Sequence, residues 1–372
     1  MSGSVQGEAG FGGAIAAVRP ATAAEVADWD ALVAAHPDGG DVWRGLDFAE
    51  HKREHVRYHI VHLLVGGEAV TIHEKRVPVL GRLWYLPAGP AGTDVEEVLR
   101  TVRAIAAYAE GRGVFMIRIE PRLAYREEDR RRLLDAGLQP VPFDMLPNAS
   151  TVVLDISGEP EEVMARFGNR ARRWIRRAER DGVRVERVPA TEENCRRLYD
   201  LLSATAEGRF GVRGYEYMAA IWKRYEASGN GQLFFARFDG EVVAGAFGMK
   251  LADHALYKDG ASVRKQAGSS AENGLGAHGV GHAVQWALIE WARENGCTRY
   301  DMCGTSPAAD ADDETHRFHG ITEFKRSFNK EIIDHIGGYD LPLSGWKTRL
   351  WKSHLEREAN RFSRLVLRDF YY

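Results

Sequence analysis

Five arginines, Arg166, Arg170, Arg173, Arg177 and Arg180, follow one another at spacings of 4, 3, 4 and 3. On a helix that spacing lines one face. Arg172 and Arg176 flank the row, and nine arginines lie between Val163 and Arg187 against Glu179, Asp181 and Glu186, a local net of +6. A solvated helix face braced by salt bridges is the ordinary origin of a charge run. Here the imbalance is large and almost entirely arginine, whose planar fork matches a phosphate. The row therefore predicts phosphate contact, in an RNA backbone, a pyrophosphate or an anionic membrane surface. Two carboxylates, Glu120 and Asp301, fall at or near expected strand ends. A carboxylate placed there can accept a proton, cap the next helix or form a salt bridge. The histidines are scattered and no His/Cys/Asp set has metal spacing, so no metal is expected; His51 and His55, four apart, are expected to share a helix face.

The chain around these residues has 372 residues, which suggests about two domains. A hydrophobic share of 44% and a charged share of 28% exclude a disordered chain, a collagen and a disulfide miniprotein. A net charge of −3 excludes a generically basic nucleic-acid binder, so any such contact must come from a local patch. The three cysteines, Cys195, Cys297 and Cys303, have no CxxC spacing. A disulfide framework or zinc ribbon is therefore not expected, and a reducing cytoplasm fits. No apolar run approaches the ~20 residues that cross a bilayer. The opening MSGSVQGEAGFGG has neither a basic n-region nor an apolar h-region, and residues 1–14 read as a flexible leader.

Helix and strand signals alternate along the first half. A helix is expected from Ala21 to about Ala35, and a hairpin from 58–65 (YHIVHLLV) through Gly66-Gly67 to 68–73. A strand follows at 82–86, a helix with apolar helical spacing at 95–111, and a buried strand at 114–119. The second half repeats this grammar. It has a strand at 151–156, one helix over 159–181 and another over 191–207. A hairpin joins 232–238 to 241–251 across Asp239-Gly240, the most specific turn signal in the chain. A short strand at 255–259 precedes the glycine-rich stretch 273–281, which opens a helix over 282–295, and a strand follows at 298–303.

Two of these units are alike. YAEGRGVFMIRIE (108–120) and WARENGCTRYDMC (291–303) each run from an aromatic-Ala helix end through Gly into a strand, at a constant offset of 183. A tandem duplication would produce this, although Gly after a helix and before a strand is common in any αβ connection. A helix–Gly–strand unit entered by a glycine-rich turn resembles a GNAT-type acyltransferase domain, in which helix N-terminal N–H groups face a phosphate. The chain lacks a clean [RQ]xxGx[GA] signature: Arg264-Lys265-Gln266-Ala267-Gly268 has the wrong spacing, so a coenzyme A donor is poorly supported.

At the arginine row the chain resembles the Fem-type (FemABX) aminoacyltransferases, which transfer an amino acid from aminoacyl-tRNA onto the stem peptide of a peptidoglycan precursor. GNRARRWIRRAERDGV (168–183) is similar to their arginine- and aromatic-rich helix ending in Gly-Val. GRFGVRGYEYM (208–218), LYKDGAS (256–262), VQWALIEWARENGCTRYDMCG (284–304) and HGITEFKRSFNKEIIDHIGGYDLPL (319–343) resemble further family segments in order. Residues 47–52 and 85–90 match more loosely, and the resemblance covers roughly 15–345. It implies an α/β (α+β) fold of two tandem GNAT-like domains, with mixed sheets flanked by helices and no coiled-coil arm. Domain 1 would span 15–150, completed by 340–372, and domain 2 would span 151–339. A final amphipathic helix carrying Trp346, Leu350, Trp351, Leu355, Phe362, Leu365 and Val366 is expected to pack on domain 1. Its basic face (Lys347, Arg349, Lys352, Arg357, Arg361, Arg364) offers the alternative of anionic lipid.

The resemblance also implies roles. The donor is an activated ester, so no cofactor is expected beyond aminoacyl-tRNA as co-substrate. Lys325, beside Phe324, is implied at the aminoacyl end, where a cation suits a developing oxyanion. Lys52 and Arg213 are implied to hold precursor phosphates, and Tyr215, Tyr217 and Tyr257 to contact the stem peptide. Glu120, and less so Asp301, are candidates to accept the proton, and Arg166, Arg170, Arg173 and Arg177 to meet tRNA phosphates. The expected partners are aminoacyl-tRNA and a lipid-linked (lipid II) or UDP-linked muramyl peptide. The protein is expected to be a cytoplasmic monomer touching the inner membrane face. Ala88, the His319-Gly320-Ile321-Thr322 segment and the glycine-rich 273–281 depart from the family pattern near the presumed grooves. Ser306-Pro307 and the acidic tract 310–314 read as a surface loop. Three alternatives remain open: the same chemistry on a soluble peptide or amino-sugar, a coenzyme A-dependent N-acyltransferase, and a binding-only homologue.

Overall fold

The computed structural model describes residues 15–206, 211–263 and 275–367. The leader, the 208–210 part of the GRF segment and residues 273–274 of the glycine-rich stretch lie outside the described residues. Strands of the first half are β1 (Val18–Pro20), β2 (His59–Val65), β3 (Glu68–Val77), β4 (Gly81–Leu86), β5 (Val114–Ile119) and β6 (Gln139–Pro140). Next come β7 (Ser150–Thr151), β8 (Val153–Asp155), β9 (Arg184–Val188), β10 (Gly231–Phe238), β11 (Glu241–Leu251), β12 (His254–Ser262) and β13 (Arg299–Asp301). The last two are β14 (Ile333–Asp334) and β15 (Tyr339–Pro342). The helices are α1 (Ala23–Ala27), α2 (Trp29–Ala34), α3 (Leu46–His55), α4 (Val95–Ala109), α5 (Glu127–Asp135), α6 (Pro160–Arg166) and α7 (Asn169–Arg180). They continue as α8 (Glu192–Ala206), α9 (Tyr215–Ala227), α10 (Val280–Glu294), α11 (His319–Arg326), α12 (Gly345–Leu350) and α13 (Glu356–Phe362).

The strands form two large mixed sheets, β1-β2-β3-β4-β5-β15-β6 and β9-β10-β11-β12-β13-β8, and a small pair β14-β7. Each large sheet repeats one plan. Antiparallel strands lead to a long helix, α4 or α10, and the strand after it pairs in parallel, β5 with β4 and β13 with β12. Gly111 and Gly296 close those helices at φ +71° and +81°, a conformation that favours glycine and ends a helix cleanly. This is the sequence repeat at 108–120 and 291–303 seen in three dimensions. The outer neighbour of β5 is β15, which comes from far down the chain. The two halves share one apolar core, in which Trp29, Trp43 and Phe48 meet Leu198, Trp222, Phe247 and Leu251.

Three expectations are corrected. The helix expected over 159–181 is two helices, because Phe167 and Gly168 leave the helical conformation. Gly168 donates its N–H to the Phe328 carbonyl, and a side chain at 168 would collide with the Ser327 carbonyl oxygen. The passing 327–328 turn thus interrupts the helix, and Arg166 is not in line with Arg170, Arg173 and Arg177. Of the segment expected as a surface loop, Pro307 and 312–314 are exposed but Ser306 is not. Ser306 is fully buried and its N–H donates to Thr322 Oγ1 at 2.8 Å. Of the apolar residues expected to pack the terminal helix on the first half, Trp351 does so. Trp351 is buried with Thr348 and Glu356, whereas Trp346, Leu350, Leu355, Phe362 and Leu365 are exposed.

Arg118 on β5 fixes that helix. Its guanidinium donates to Asp340 Oδ1 and Oδ2 at 2.6 and 3.0 Å and to Glu356 Oε1 at 2.6 Å. All of this lies out of water, where a partnered charge is held and an unpartnered one is costly.

Candidate active site

Lys325 lies on α11 with 2% of its surface exposed. Its ammonium donates to the carbonyls of Cys303 at 2.8 Å and Gly304 at 2.7 Å. It stands 5.8 Å from the Tyr257 ring centre. Burial pulls its pKa down to about 8, against the opposing pull of Cys303 and Asp301. The turn it grips is itself constrained. Cys303 is held at φ +57°, an unfavourable conformation for a residue with a side chain. Its N–H donates to Asp301 Oδ1 at 2.6 Å. Adjacent positions on a helix point about 100° apart. Phe324 therefore turns away from this turn, packing edge-on against His282 at 4.8 Å and Phe328 at 5.7 Å.

Asp301 is a wall of this site. It also accepts hydrogen bonds from Asn148 Nδ2 at 2.7 Å and from Thr151 Oγ1. Burial raises its pKa, but His254, those two hydrogen bonds and Arg122 outweigh this and hold it below the usual carboxylate range. Arg122 continues the network, donating to the Asn148 carbonyl at 3.2 Å and to Asp41 Oδ2 at 3.3 Å. Glu120 sits two residues before it with 4% exposure. Tyr85 donates its hydroxyl to Glu120 Oε2 at 2.6 Å, and the Leu146 N–H reaches Oε1 at 3.2 Å. Burial raises the Glu120 pKa, partly offset by Arg122 and these two bonds. Both carboxylates expected to take a proton are thus tied into the protein by several donors.

A second group assembles from both halves. Lys52 on α3 and Arg213 before α9 face the Tyr217 ring at 5.7 and 4.4 Å, and His51 abuts it at 4.3 Å. His51 and His55 share a helix face, with ring centres 4.7 Å apart; burial, then His55 and Lys52, push the His51 pKa down to about 2. Tyr215 is not part of this group. Its hydroxyl donates to Glu192 Oε1 at 2.6 Å, and Arg196 covers its ring. Of the three tyrosines, Tyr217 joins Lys52 and Arg213, Tyr257 joins Lys325, and Tyr215 joins neither.

The arginines of α7 line a surface groove of about 440 Å³, formed by Asn169, Arg172, Arg173, Arg176 and Arg180. Among the four arginines expected at phosphates, only Arg173 lines it. Arg170 pairs with Glu323 at 3.4 Å, Arg177 with Asp181 at 3.2 Å and Arg166 with Asp155 at 3.6 Å. Trp174 lies under Arg173 and Arg177, at 5.6 and 5.4 Å, and stacks on His282 at 6.3 Å. His282 touches Phe324, the neighbour of Lys325. A line of aromatic rings therefore runs from the basic groove to Phe324, whose side chain points away from the turn that its neighbour Lys325 grips.

Sequence reasoning did not single out Arg122, Asn148, Thr151, Tyr85 or His282. Asn148 and Thr151 meet Asp301 across about 150 residues, and no local spacing records such a contact.

Residues 165–326 match a family model described as an acetyltransferase (GNAT) domain. A lipid II:glycine glycyltransferase of Staphylococcus epidermidis is 22% identical, over 85% of this chain and 91% of its own. An aminoacyltransferase FemA of Staphylococcus aureus is 35% identical over 63 residues, 17% of this chain and 14% of its own. A solved structure of FemX superimposes with a TM-score of 0.72 at 20% identity, covering 90% of this chain and 99% of that one. Two GNAT-like sheets in tandem, with these relatives, define an acyl-transfer enzyme. The chain is similar to Fem-type aminoacyltransferases over most of its length.

Proposed function

We propose that the enzyme moves an aminoacyl group from aminoacyl-tRNA to an amine on the stem peptide of a lipid-linked or UDP-linked muramyl-peptide precursor. The observation that supports this reading is the α7 arginine groove backed by Trp174, in the same half of the chain as the buried Lys325. Phosphates of the tRNA acceptor end would lie along Arg172, Arg173, Arg176 and Arg180, with a terminal base over the Trp174 face. The aminoacyl ester would then reach Lys325. The acceptor amine attacks the ester carbonyl, a C–N bond forms and the C–O bond to ribose breaks. The amine proton ends on the ribose hydroxyl. With two N–H groups on Cys303 and Gly304, the third N–H of Lys325 is left for the oxyanion. The ester carries its own activation, so the step needs no cofactor. Lys52 and Arg213, flanking Tyr217, would hold the acceptor's diphosphate.

The exposed Trp346, Leu350, Phe362 and Leu365, set among Lys347, Arg349, Arg357 and Arg361, support contact of the terminal helix with an anionic lipid surface. Among the described residues no helix is long and apolar enough to cross a membrane.

The test incubates the protein with charged total tRNA and either lipid II or UDP-muramyl-pentapeptide, and reads the acceptor by mass spectrometry. An RNase-sensitive gain of one aminoacyl residue is expected. A gain that survives RNase and requires an acyl-coenzyme A would overturn the tRNA-dependent reading. No gain on either acceptor, with folded protein, would overturn the muramyl-peptide reading and direct the search to soluble peptides or amino-sugars.

A further inference from the structure

The two carbonyls that Lys325 grips belong to a turn held from outside. Cys303, at φ +57°, is tied by its N–H to Asp301 Oδ1 at 2.6 Å. The segment 147–152, which joins the two halves, runs along this turn. The Met302 N–H donates to the Val152 carbonyl and the Thr305 N–H to the Ser150 carbonyl, both at 2.9 Å. A Cβ on Gly304 would stand 2.8 Å from the Pro147 carbonyl oxygen, so the segment also passes close against the turn there.

Asn148 is where this segment takes hold of the side chain that shapes the turn. It is 1% exposed, and Asp301 is 2% exposed. Its Nδ2 donates to Asp301 Oδ2 at 2.7 Å, and its Oδ1 accepts from Arg122 Nη2. Arg122 can only donate and the ionised Asp301 can only accept, so these two neighbours fix which way the amide faces. A carboxylate at 148 would answer Arg122 but not Asp301, and an apolar side chain would answer neither. Arg122 is anchored in turn in the first half, on Asp41 Oδ2 at 3.3 Å.

We propose that Asn148 is a positioning residue for the transfer: by holding Asp301 against the Cys303 N–H, it fixes the two carbonyls that aim the Lys325 ammonium. The role in transfer rests on the reading of Lys325 as the oxyanion donor. Asn148 acts through Asp301 and the turn, not on the reacting atoms.

The hydrogen-bond chemistry sets what each substitution does. Asn148→Leu keeps the size and takes from Asp301 one of its three donors. A buried carboxylate short of a donor loosens the turn built on it. In Asp301→Asn, the new Oδ1 still accepts from the Cys303 N–H and from Thr151. Its Nδ2 then meets the Asn148 Nδ2, donor against donor, and Arg122 keeps Asn148 from turning over. Adding Asn148→Asp to Asp301→Asn reverses the pair. Arg122 donates to the new carboxylate, the new amide at 301 donates to it as well, and every bond is restored.

The test uses the full-length protein, with folding of each variant checked by circular dichroism. It measures kcat and KM for transfer from charged tRNA to UDP-muramyl-pentapeptide. It also labels Lys325 competitively with acetic anhydride across pH, read by peptide mass spectrometry. Asn148→Leu should lower kcat by about 10–100-fold, the scale of a misplacement on the order of 1 Å, with little change in KM. In a Lys325→Ala background it should cost little more, because residues acting as a unit are not additive. The Lys325 pKa read by labelling should rise from about 8 toward 10.5 as water reaches the ammonium. Asp301→Asn should lose kcat similarly and Asn148→Asp should restore most of it; this pair decides the matter if Asn148→Leu does not fold. Wild-type kcat with an unmoved labelling profile in Asn148→Leu overturns the proposal and leaves Lys325 in the reaction. A loss that multiplies with that of Lys325→Ala also overturns it, as a structural effect. If the wild type transfers nothing, the reading of donor and acceptor fails separately. The labelling profile of Asn148→Leu then decides: a raised pKa upholds the hold on Lys325, and an unmoved one overturns it.

Discussion

The Lys325 ammonium stands 2.8 Å from the carbonyl oxygen of Cys303, a residue that is itself in a left-handed backbone conformation. A buried cation and a constrained turn hold each other. Without the lysine, two buried carbonyls lose their donor. Without the turn, the ammonium has nothing to replace water. Lys325→Ala is expected to lower kcat by about 10²–10³-fold, the cost of one oxyanion donor, with a smaller change in KM for aminoacyl-tRNA. Single-turnover kinetics with circular dichroism of the variant check this. Unchanged kcat would remove Lys325 from the reaction.

The same lysine gives a pH signature. Its folded pKa of about 8 lies below the ordinary lysine value of 10.5. Between these values the unfolded chain binds more protons, so stability rises with pH across that window. Below pH 8 both states carry the charge and its full burial cost is present. Relative to Lys325→Met, the wild type should gain roughly 3 kcal/mol between pH 8 and 10.5. Urea denaturation at several pH values measures the difference, and a flat difference would contradict the assignment.

Arg173 and Arg176 line the groove on α7 without an ion-pair partner among the described residues. Replacing both with alanine should weaken tRNA binding and reduce the slope of log K against log salt by about 1–2. Arg166→Ala, on the other side of the Gly168 break, should leave that slope unchanged. Filter binding at graded salt distinguishes the two.

Lys52 and Arg213 predict a difference between acceptors. Lys52→Met or Arg213→Met should raise KM for a diphosphate-bearing precursor by about tenfold or more, the loss of one charge-assisted hydrogen bond. For the stem peptide alone the same variants should differ little from wild type. Equal effects on both acceptors would place the two cations elsewhere in the reaction.

Arg118 predicts the anchoring of the terminal helix. Arg118→Met leaves Asp340 buried, with Lys352 alone at 3.0 Å. A loss of about 3–5 kcal/mol is expected, the cost of breaking a buried pair from one side. Limited proteolysis should then cut within 345–362 before the rest of the chain.

Much of the architecture was legible because its signals are local. The Asp239-Gly240 turn fixed one hairpin, Gly66-Gly67 another, and the apolar spacing at 95–111 gave α4. The interruption at Gly168 was not legible, since it depends on the 327–328 turn passing close by. The site was half legible. The family motif marked Lys325, but its burial depends on carbonyls more than 20 residues away, and the Asp301 network depends on residues 150 positions distant. The arginine row was found as a charge pattern. The sequence did not show which members were spent on Glu323, Asp181 and Asp155 and which remained at the groove.

The place of β15 beside β5 has a consequence for biosynthesis. As the ribosome delivers the chain in order, β5 is made more than two hundred residues before the strand that covers its outer side. Until Tyr339–Pro342 emerges, a strand apolar except for Arg118 keeps a row of open backbone donors and acceptors, the kind of edge that recruits neighbouring chains. The second sheet carries no such debt, because its corresponding strand, β8, precedes it. The later half of the molecule can thus complete its sheet while the earlier half is still waiting for its last strand.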